Sequence, residues 1–507
     1  MRPRFILSLL LVSVILRCIA IDRPLLDAHH FRQIHTAILT KNLIEDGYPW
    51  LKTRGDWKGF EDSTVVLELP LQMHLAARLS AITPNLETAG RITAVAFWAA
   101  AFLVFCWLSG QLLAAPAARW AVAIFAFSPL SIFFGQSFQP ESLVLFLTLA
   151  ILSAFLRWCD TGRPVWALAM TGALALALTL KSNEIVHLAV PLLAVGWARK
   201  GPRFFLRWEM WLLGAVGLVT VIVWSKVISY YNMQSFPGWS SAGVLRDFLG
   251  TPAERLSVQY YAKLIGYMGI LGLTPVLAVF WLRGLWIEGK CRRDPLLLGW
   301  GAGIALYYLL FGPGGPVLHS YYHLVALPWF CLVAAQGLAV SLEKPGWLGR
   351  RRLLQALAAV LWLAGTALGL LNLYHPDRRA YEAARALAAL HPARDEAVIV
   401  AADHERYASG FELYPTIFFY SGTRGYNLPA GDRTPPLAAL LAAHPEVTWA
   451  VQTHAETDDR MAAWRKRLPF FAPVARPQPL LDEALLARGF TPVAATPGWT
   501  IFHRARQ

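Results

Sequence analysis

The sequence predicts a multi-span α-helical membrane protein with about eleven transmembrane helices, followed by a small C-terminal α/β domain. Three observations carry that expectation. Of the 507 residues, 56% are hydrophobic and only 15% charged, against roughly 25% charged in ordinary soluble domains. Apolar runs follow one another from the N-terminus to residue 373. After that point short apolar stretches of strand and helix character alternate, as in an α/β domain.

A helix needs about 20 mostly apolar residues to cross the hydrocarbon. Candidate spans lie near residues 4–21, 87–108, 117–135, 140–157, 165–181, 184–198, 209–228, 264–284, 295–311, 319–341 and 353–373. The first has the basic start and apolar middle of a signal peptide. A retained helix is preferred, because Arg17 interrupts a clean cleavage pattern and many spans follow. Basic residues gather at Arg157 and Arg163 and in 198–207, 283–294 and 343–352. An excess of Lys and Arg marks cytoplasmic loops. The opposite face then receives residues 22–86, "GQSFQPES", the 229–263 loop, "GPGGPVLHSYYH" and the tail. The net charge of +14 is thus accounted for by topology. No basic stripe with interleaved aromatics speaks for nucleic acid. The five cysteines lie within or beside apolar runs, without metal-site spacing.

Residues 1–373 therefore read as a membrane domain with a long first outer loop, 22–86, and residues 374–507 as a separate α/β domain. In the tail, 377–390 reads as an amphipathic helix and 396–403 as a buried strand. "PTIFFYSG", helical "PPLAALLAAH", the strand "VTWAVQT" and helical "RMAAWRKRL" follow. The tail has no Gly-rich phosphate loop and no nucleophile elbow, so a supporting role is expected of it. No internal repeat of the kind common in secondary transporters is found.

Polar chemistry clusters on the outer side. "LLDAHHFRQIHTA" (25–37) follows the first span and brings Asp27, Arg32 and Gln33, the latter two at helical spacing. Glu68 precedes Leu69 and Pro70 at the return toward the membrane, and Glu141 opens a span in "SFQPES". Lys181 breaks an apolar run in "LTLKSNEIV", and "HSYYH" brings His319, Tyr321 and Tyr322. Each has a plain alternative. Asp27 can be a solvated flank, Glu141 a dipole-matched helix start, Lys181 a snorkelling cation, and the tyrosines interface aromatics. His319 and His323 have i, i+4 spacing, but no third metal ligand is identifiable. Convergence outweighs these readings, since ionisable groups at membrane depth are costly unless used.

The order and sidedness of "DAHHFRQIHTA", "LELP", "GRITAVAFW", "SFQPES", "LALTLKSNE" and "HSYYHLVALP" resemble the GT-C superfamily of polyprenyl-phosphate-sugar-dependent glycosyltransferases. The likeness is to the protein O-mannosyltransferases and the bacterial aminoarabinose and galacturonic acid transferases that modify lipid A. It covers about residues 1–373, and the tail is similar to their periplasmic domain. This sequence departs from the usual paired acids, because Ala28 follows Asp27 and the later acid is Glu141. The resemblance implies an inverting transfer of a monosaccharide from a polyprenyl-phosphate donor to a glycan, lipid A or protein acceptor. The site would face the periplasm of a bacterial inner membrane. Asp27 would be the general base, with Glu68 as the competing acid. Arg32, Gln33, Lys181, His319, Tyr321 and Tyr322 would hold the donor phosphate. Glu141 would hold a hydroxyl or help hold a divalent cation (Mg or Mn). A transporter or flippase of lipid-linked sugars would also explain the intramembrane charges, but not the long loop or the large outer domain. A non-catalytic scaffold for envelope assembly is a further alternative.

Overall fold

The computed structural model describes residues 2–235, 249–287, 293–311, 319–343, 351–374, 378–401, 415–428, 434–454 and 481–506, with a few isolated positions between them. The chain divides into two compact units. The first comprises residues 1–23, 66–233 and 238–373, and the second residues 24–65, 234–237 and 374–507.

The first unit is helical. Its opening helices are α1 (Pro3–Cys18), α3 (Leu71–Leu79), α4 (Leu86–Leu112), α5 (Ala115–Phe127), α6 (Pro129–Phe134) and α7 (Glu141–Thr161). They are followed by α8 (Pro164–Ile185), α9 (Ala189–Lys200) and α10 (Trp208–Ser235). Helices Val258–Gly266, Pro275–Trp286, Pro295–Phe311, Leu327–Glu343 and Arg351–Leu373 complete it. Among the described residues, five helices are long and apolar enough to cross a bilayer, or six if one bent pair counts as a single span. The chain is thus a multi-pass membrane protein. Several expected spans are divided by local chemistry that hydropathy does not register. Residues 117–135 split before Pro129, which cannot donate a helical N–H. Residues 264–284 bend by 110° where Thr274, at a φ of 68°, precedes Pro275. A 3₁₀ turn, Ser320–His323, precedes the helix expected at 319–341.

Burial follows an apolar solvent. The apolar stretch of α10 is 0% buried and that of α7 is 78% buried. Exposed Leu218, Val219 and Trp211 on α10 are what hydrocarbon around the bundle permits, because lipid tails are as apolar as leucine. Arg17 shows how a charge is accommodated within α1. It is fully buried, donates to the Ser13 and Ala126 carbonyls and to Ser131 Oγ at 2.9–3.2 Å, and stacks 3.3 Å from the Trp98 ring centre. The residue that argued against cleavage of the first helix thus packs it against α4 and α6.

The second unit is an α/β domain. Its five-stranded sheet has the order β3-β1-β4-β7-β6, formed by β1 (Ala397–Ala401), β3 (Arg424–Asn427), β4 (Val447–Thr453), β6 (Thr491–Thr496) and β7 (Trp499–His503). β1 runs parallel to β3 and β4, and the β6–β7 hairpin adds antiparallel to β4. The parallel strands β1 and β4 are buried throughout, as parallel strands covered on both faces are. The residue pairs β2 (His404–Glu405) and β5 (Arg476–Pro477) form a separate ladder. Helix Arg379–Ala389 precedes β1, and helices Pro415–Ser421 and Thr434–Ala443 lie between strands in the chain. The helix expected in "RMAAWRKRL" lies outside the described residues.

Residues 24–65 belong to this unit rather than to the membrane bundle. They carry α2 (His30–Glu45) and close the β3 edge. Gly59 N–H donates to the Gly425 carbonyl at 2.8 Å, and Gly425 N–H to the Asp56 carbonyl at 2.9 Å. Asp56 is fully buried, and its carboxylate accepts from Lys41 at 2.6 Å, Asn42 at 2.9 Å and Arg54 at 3.3 Å. Such a carboxylate is tolerated in a core because every charge beside it is matched.

His35 on α2 gives this unit a pH dependence. It is buried and stacks on Trp57 at 4.9 Å. Burial first, and the Arg32 charge second, push its pKa down to about 3. Between pH 6.5 and 3 the unfolded chain therefore binds a proton that the folded unit refuses. Stability should be fully present above pH 6.5 and fall as pH drops through this window, by up to about 1.4 kcal/mol per unit. Denaturation midpoints of wild type and His35→Phe between pH 4 and 7 test this. Parallel curves would exclude His35 as the source.

Candidate active site

The site in the membrane unit is built around an interruption in α8. Lys181 has φ −150° and ψ 81° inside an otherwise helical run. The helical stretch 164–206 has 43 residues and at 1.5 Å per residue would span about 65 Å, twice the hydrocarbon thickness. The break falls where the two expected spans meet. Two residues before it, the Thr179 carbonyl accepts from Leu69 N–H at 3.0 Å, which seats the "LELP" return and Glu68 against the break.

Lys181 is 9% exposed, and its charge is held between two carboxylates. Nζ lies 2.5 Å from Glu141 Oε1 and 2.9 Å from Glu184 Oε1. Glu141 is 1% exposed and Glu184 is fully buried. The same Nζ lies 4.4 Å from the ring centre of Tyr321 and 4.5 Å from that of Tyr322, within cation–π range. His319 stacks on Tyr321 at 5.1 Å. Glu68, itself buried, is within electrostatic reach of Glu184. The structure thus brings together Glu68, Glu141, Lys181, His319, Tyr321 and Tyr322. Asp27, Arg32 and Gln33 belong to the other unit. There Asp27 is buried just before α2, and its backbone carbonyl accepts from His30 N–H at 2.9 Å. Gln33 Nε2 donates to the Ala28 carbonyl at 3.3 Å, and Arg32 lies on the first turn of α2.

Three residues of the membrane cluster escaped the sequence reading. Glu184 stands at i+3 from Lys181, the usual spacing of a helical ion pair, and that spacing was the available signal. His187 lies on the 3₁₀ turn Val186–Leu188, and its Nδ1 contacts the Glu184 carbonyl. Tyr307, on helix Pro295–Phe311, places its ring 6.3 Å from that of His187 and lies within electrostatic reach of Glu184 and Tyr322. Gly303, one turn earlier, permits this approach. A Cβ there would collide with the His187 carbonyl oxygen. His323, four residues beyond His319, is occupied otherwise, since its Nδ1 lies 2.7 Å from the Tyr308 hydroxyl.

The residues do not fit a divalent metal. The space between the Glu141 and Glu184 carboxylates is taken by the Lys181 ammonium, which supplies the positive charge a cation would bring. Among the described residues no three His, Cys, Asp or Glu side chains are placed to hold one.

Similarity to solved structures follows the whole chain. ArnT from Cupriavidus metallidurans, bound to undecaprenyl phosphate, superposes with a TM-score of 0.63 at 14% identity, covering 99% of this chain and 98% of that one. Its apo state gives 0.62 at 13% identity with the same coverage. The archaeal oligosaccharyltransferase AglB from Archaeoglobus fulgidus, in complex with an inhibitory peptide and a dolichol-phosphate, gives 0.58 at 12% identity, covering 88% and 69%. The chain therefore shares its fold with these solved structures along almost its whole length. No protein-family model and no curated protein matches it by sequence.

Proposed function

We propose that the protein is an inverting glycosyltransferase that moves one sugar from a polyprenyl-phosphate donor to an envelope acceptor on the periplasmic face of a bacterial inner membrane. The observation that carries this reading is the buried Lys181 with its tyrosines, in a fold similar to proteins solved with undecaprenyl phosphate and dolichol-phosphate. The donor's leaving group is a phosphate, whose charge must be met by fixed cations and hydrogen-bond donors rather than by a second acid. Lys181 is assigned that task, with Tyr322, Tyr321 and His319 around it and Arg32 and Gln33 as further donors. Asp27 is assigned the acceptor's proton, and Glu141 a sugar or acceptor hydroxyl. A single displacement at the anomeric carbon forms the new C–O bond, breaks the bond to phosphate and inverts the centre. The reading routes no step through a metal.

Mass spectrometry of lipid A, glycans and envelope proteins from cells with and without the chain tests the proposal. The expected result is a one-sugar mass loss on one acceptor, with accumulation of the polyprenyl-phosphate sugar. Identical profiles overturn it. So does movement of intact lipid-linked sugar across liposomes by the purified protein without sugar loss, which is the flippase outcome.

A further inference from the structure

Beside Lys181, four buried polar atoms have no hydrogen-bond partner among the described residues. They are Glu141 Oε2, Glu184 Oε2, His187 Nε2 and the Tyr307 hydroxyl. Their residues are at most 1% exposed. Buried polar groups are nearly always satisfied; such atoms also occur elsewhere among the described residues, and it is the grouping of these four on one ion cluster that points to a ligand. The chemical character of the set identifies what kind. His187 Nδ1 contacts a carbonyl oxygen and so carries the ring proton, which leaves Nε2 as an acceptor. Both carboxylate oxygens are acceptors, and the tyrosine hydroxyl alone can donate. A phosphate, which offers only acceptors and negative charge, is repelled by such a set. A group bearing several O–H donors is complementary to it.

We infer that Glu141, Glu184, His187 and Tyr307 form the subsite that reads the hydroxyl groups of the transferred sugar, while Lys181 takes the phosphate. This inference rests on the glycosyltransferase reading above and deepens it. The two halves of the donor are sorted by hydrogen-bonding sense. The ammonium faces the leaving group, and the acceptor-rich wall faces the ring hydroxyls. A site built to hydrogen-bond a hydroxyl discriminates strongly against ligands lacking it, because its own buried groups are then left unpaired.

Binding of purified protein to undecaprenyl phosphate, and to the same lipid carrying glucose, galactose, mannose or arabinose, tests the inference. Wild type should bind at least one sugar-bearing lipid about tenfold or more tightly than the bare lipid. Tyr307→Phe and His187→Phe should each remove most of that preference and leave affinity for bare undecaprenyl phosphate within about twofold. Tyr307→Phe deletes one oxygen that has no hydrogen-bond partner among the described residues, so folding should persist, and a thermal melt verifies it. Lys181→Ala should weaken both kinds of lipid. The inference is overturned if wild type prefers no sugar-bearing lipid, if both Phe variants keep the preference, or if they weaken bare and sugar-bearing lipid equally. Failure of wild type to bind even bare undecaprenyl phosphate overturns the glycosyltransferase reading, and this inference with it.

Discussion

Asp27→Asn should lower sugar transfer by about 10²-fold or more while leaving donor binding intact, the signature of a lost general base. The substitution keeps shape while removing the negative charge and with it the capacity to take a proton. Asp27 is buried in the segment between α1 and α2, and its backbone carbonyl, which the substitution leaves unchanged, receives the His30 N–H. A large rate loss with donor binding and melting temperature retained would therefore report on the carboxylate rather than on the loop. The comparison is Glu68→Gln. Glu68 is also buried, but it belongs to the unit containing Lys181 and lies within reach of Glu184. Its loss should change donor affinity more than turnover, because it adds to the negative charge around the lysine. Glu45 and Asp46, the other acids near α2, are paired with Arg54 at 3.4 and 3.1 Å and serve structure. Assays with purified protein and a polyprenyl-phosphate sugar decide between the acids. Near-normal turnover of Asp27→Asn would move the base to Glu68 or Glu141.

The membrane character and the α/β tail were legible because both rest on local pattern. Hydropathy located apolar helices, five or six of which among the described residues are long enough to cross a bilayer, and β1, β4 and helices Arg379–Ala389 and Thr434–Ala443 fall where the alternation put them. Hydropathy could not see where helices break, because an apolar window reads through Pro129, Thr274–Pro275 and the 3₁₀ turn before Leu327. Nor could local pattern show that residues 24–65 fold with the tail. That association depends on Gly59 and Asp56 meeting Gly425, more than 360 positions away. In the site, Lys181 and the two tyrosines were legible as polar and aromatic interruptions of apolar runs. Glu184 was quoted within its stretch and passed over, because an acid near a lysine reads as a solvated helix end until burial is known. Tyr307 sits in an apolar helix with Tyr308 beside it, and nothing local separates the one that lines the cluster from the one that bonds His323.

The Lys181→Met variant should show two losses that can be separated. Methionine has similar length and no charge, so Glu141 and Glu184, at most 1% exposed, lose the cation that sits 2.5 and 2.9 Å from them. Removing one partner from a buried ion pair typically costs about 3–5 kcal/mol, because the remaining charge is left uncompensated. The melting temperature in detergent should fall accordingly. Binding of undecaprenyl phosphate should fall too, since the phosphate would then meet carboxylates without the ammonium between them. One variant cannot tell these effects apart, but the triple variant Lys181→Met, Glu141→Gln, Glu184→Gln can. With the lysine and both of its ion-paired glutamates neutral, and Glu68 the acid that remains nearby, its stability should return part of the way to wild type, as when a buried ion pair is replaced whole. Its affinity for undecaprenyl phosphate should stay low, because the fixed positive charge is still missing. Recovery of both properties would show that Lys181 serves only to neutralise its glutamates. Recovery of stability alone would assign it to the phosphate.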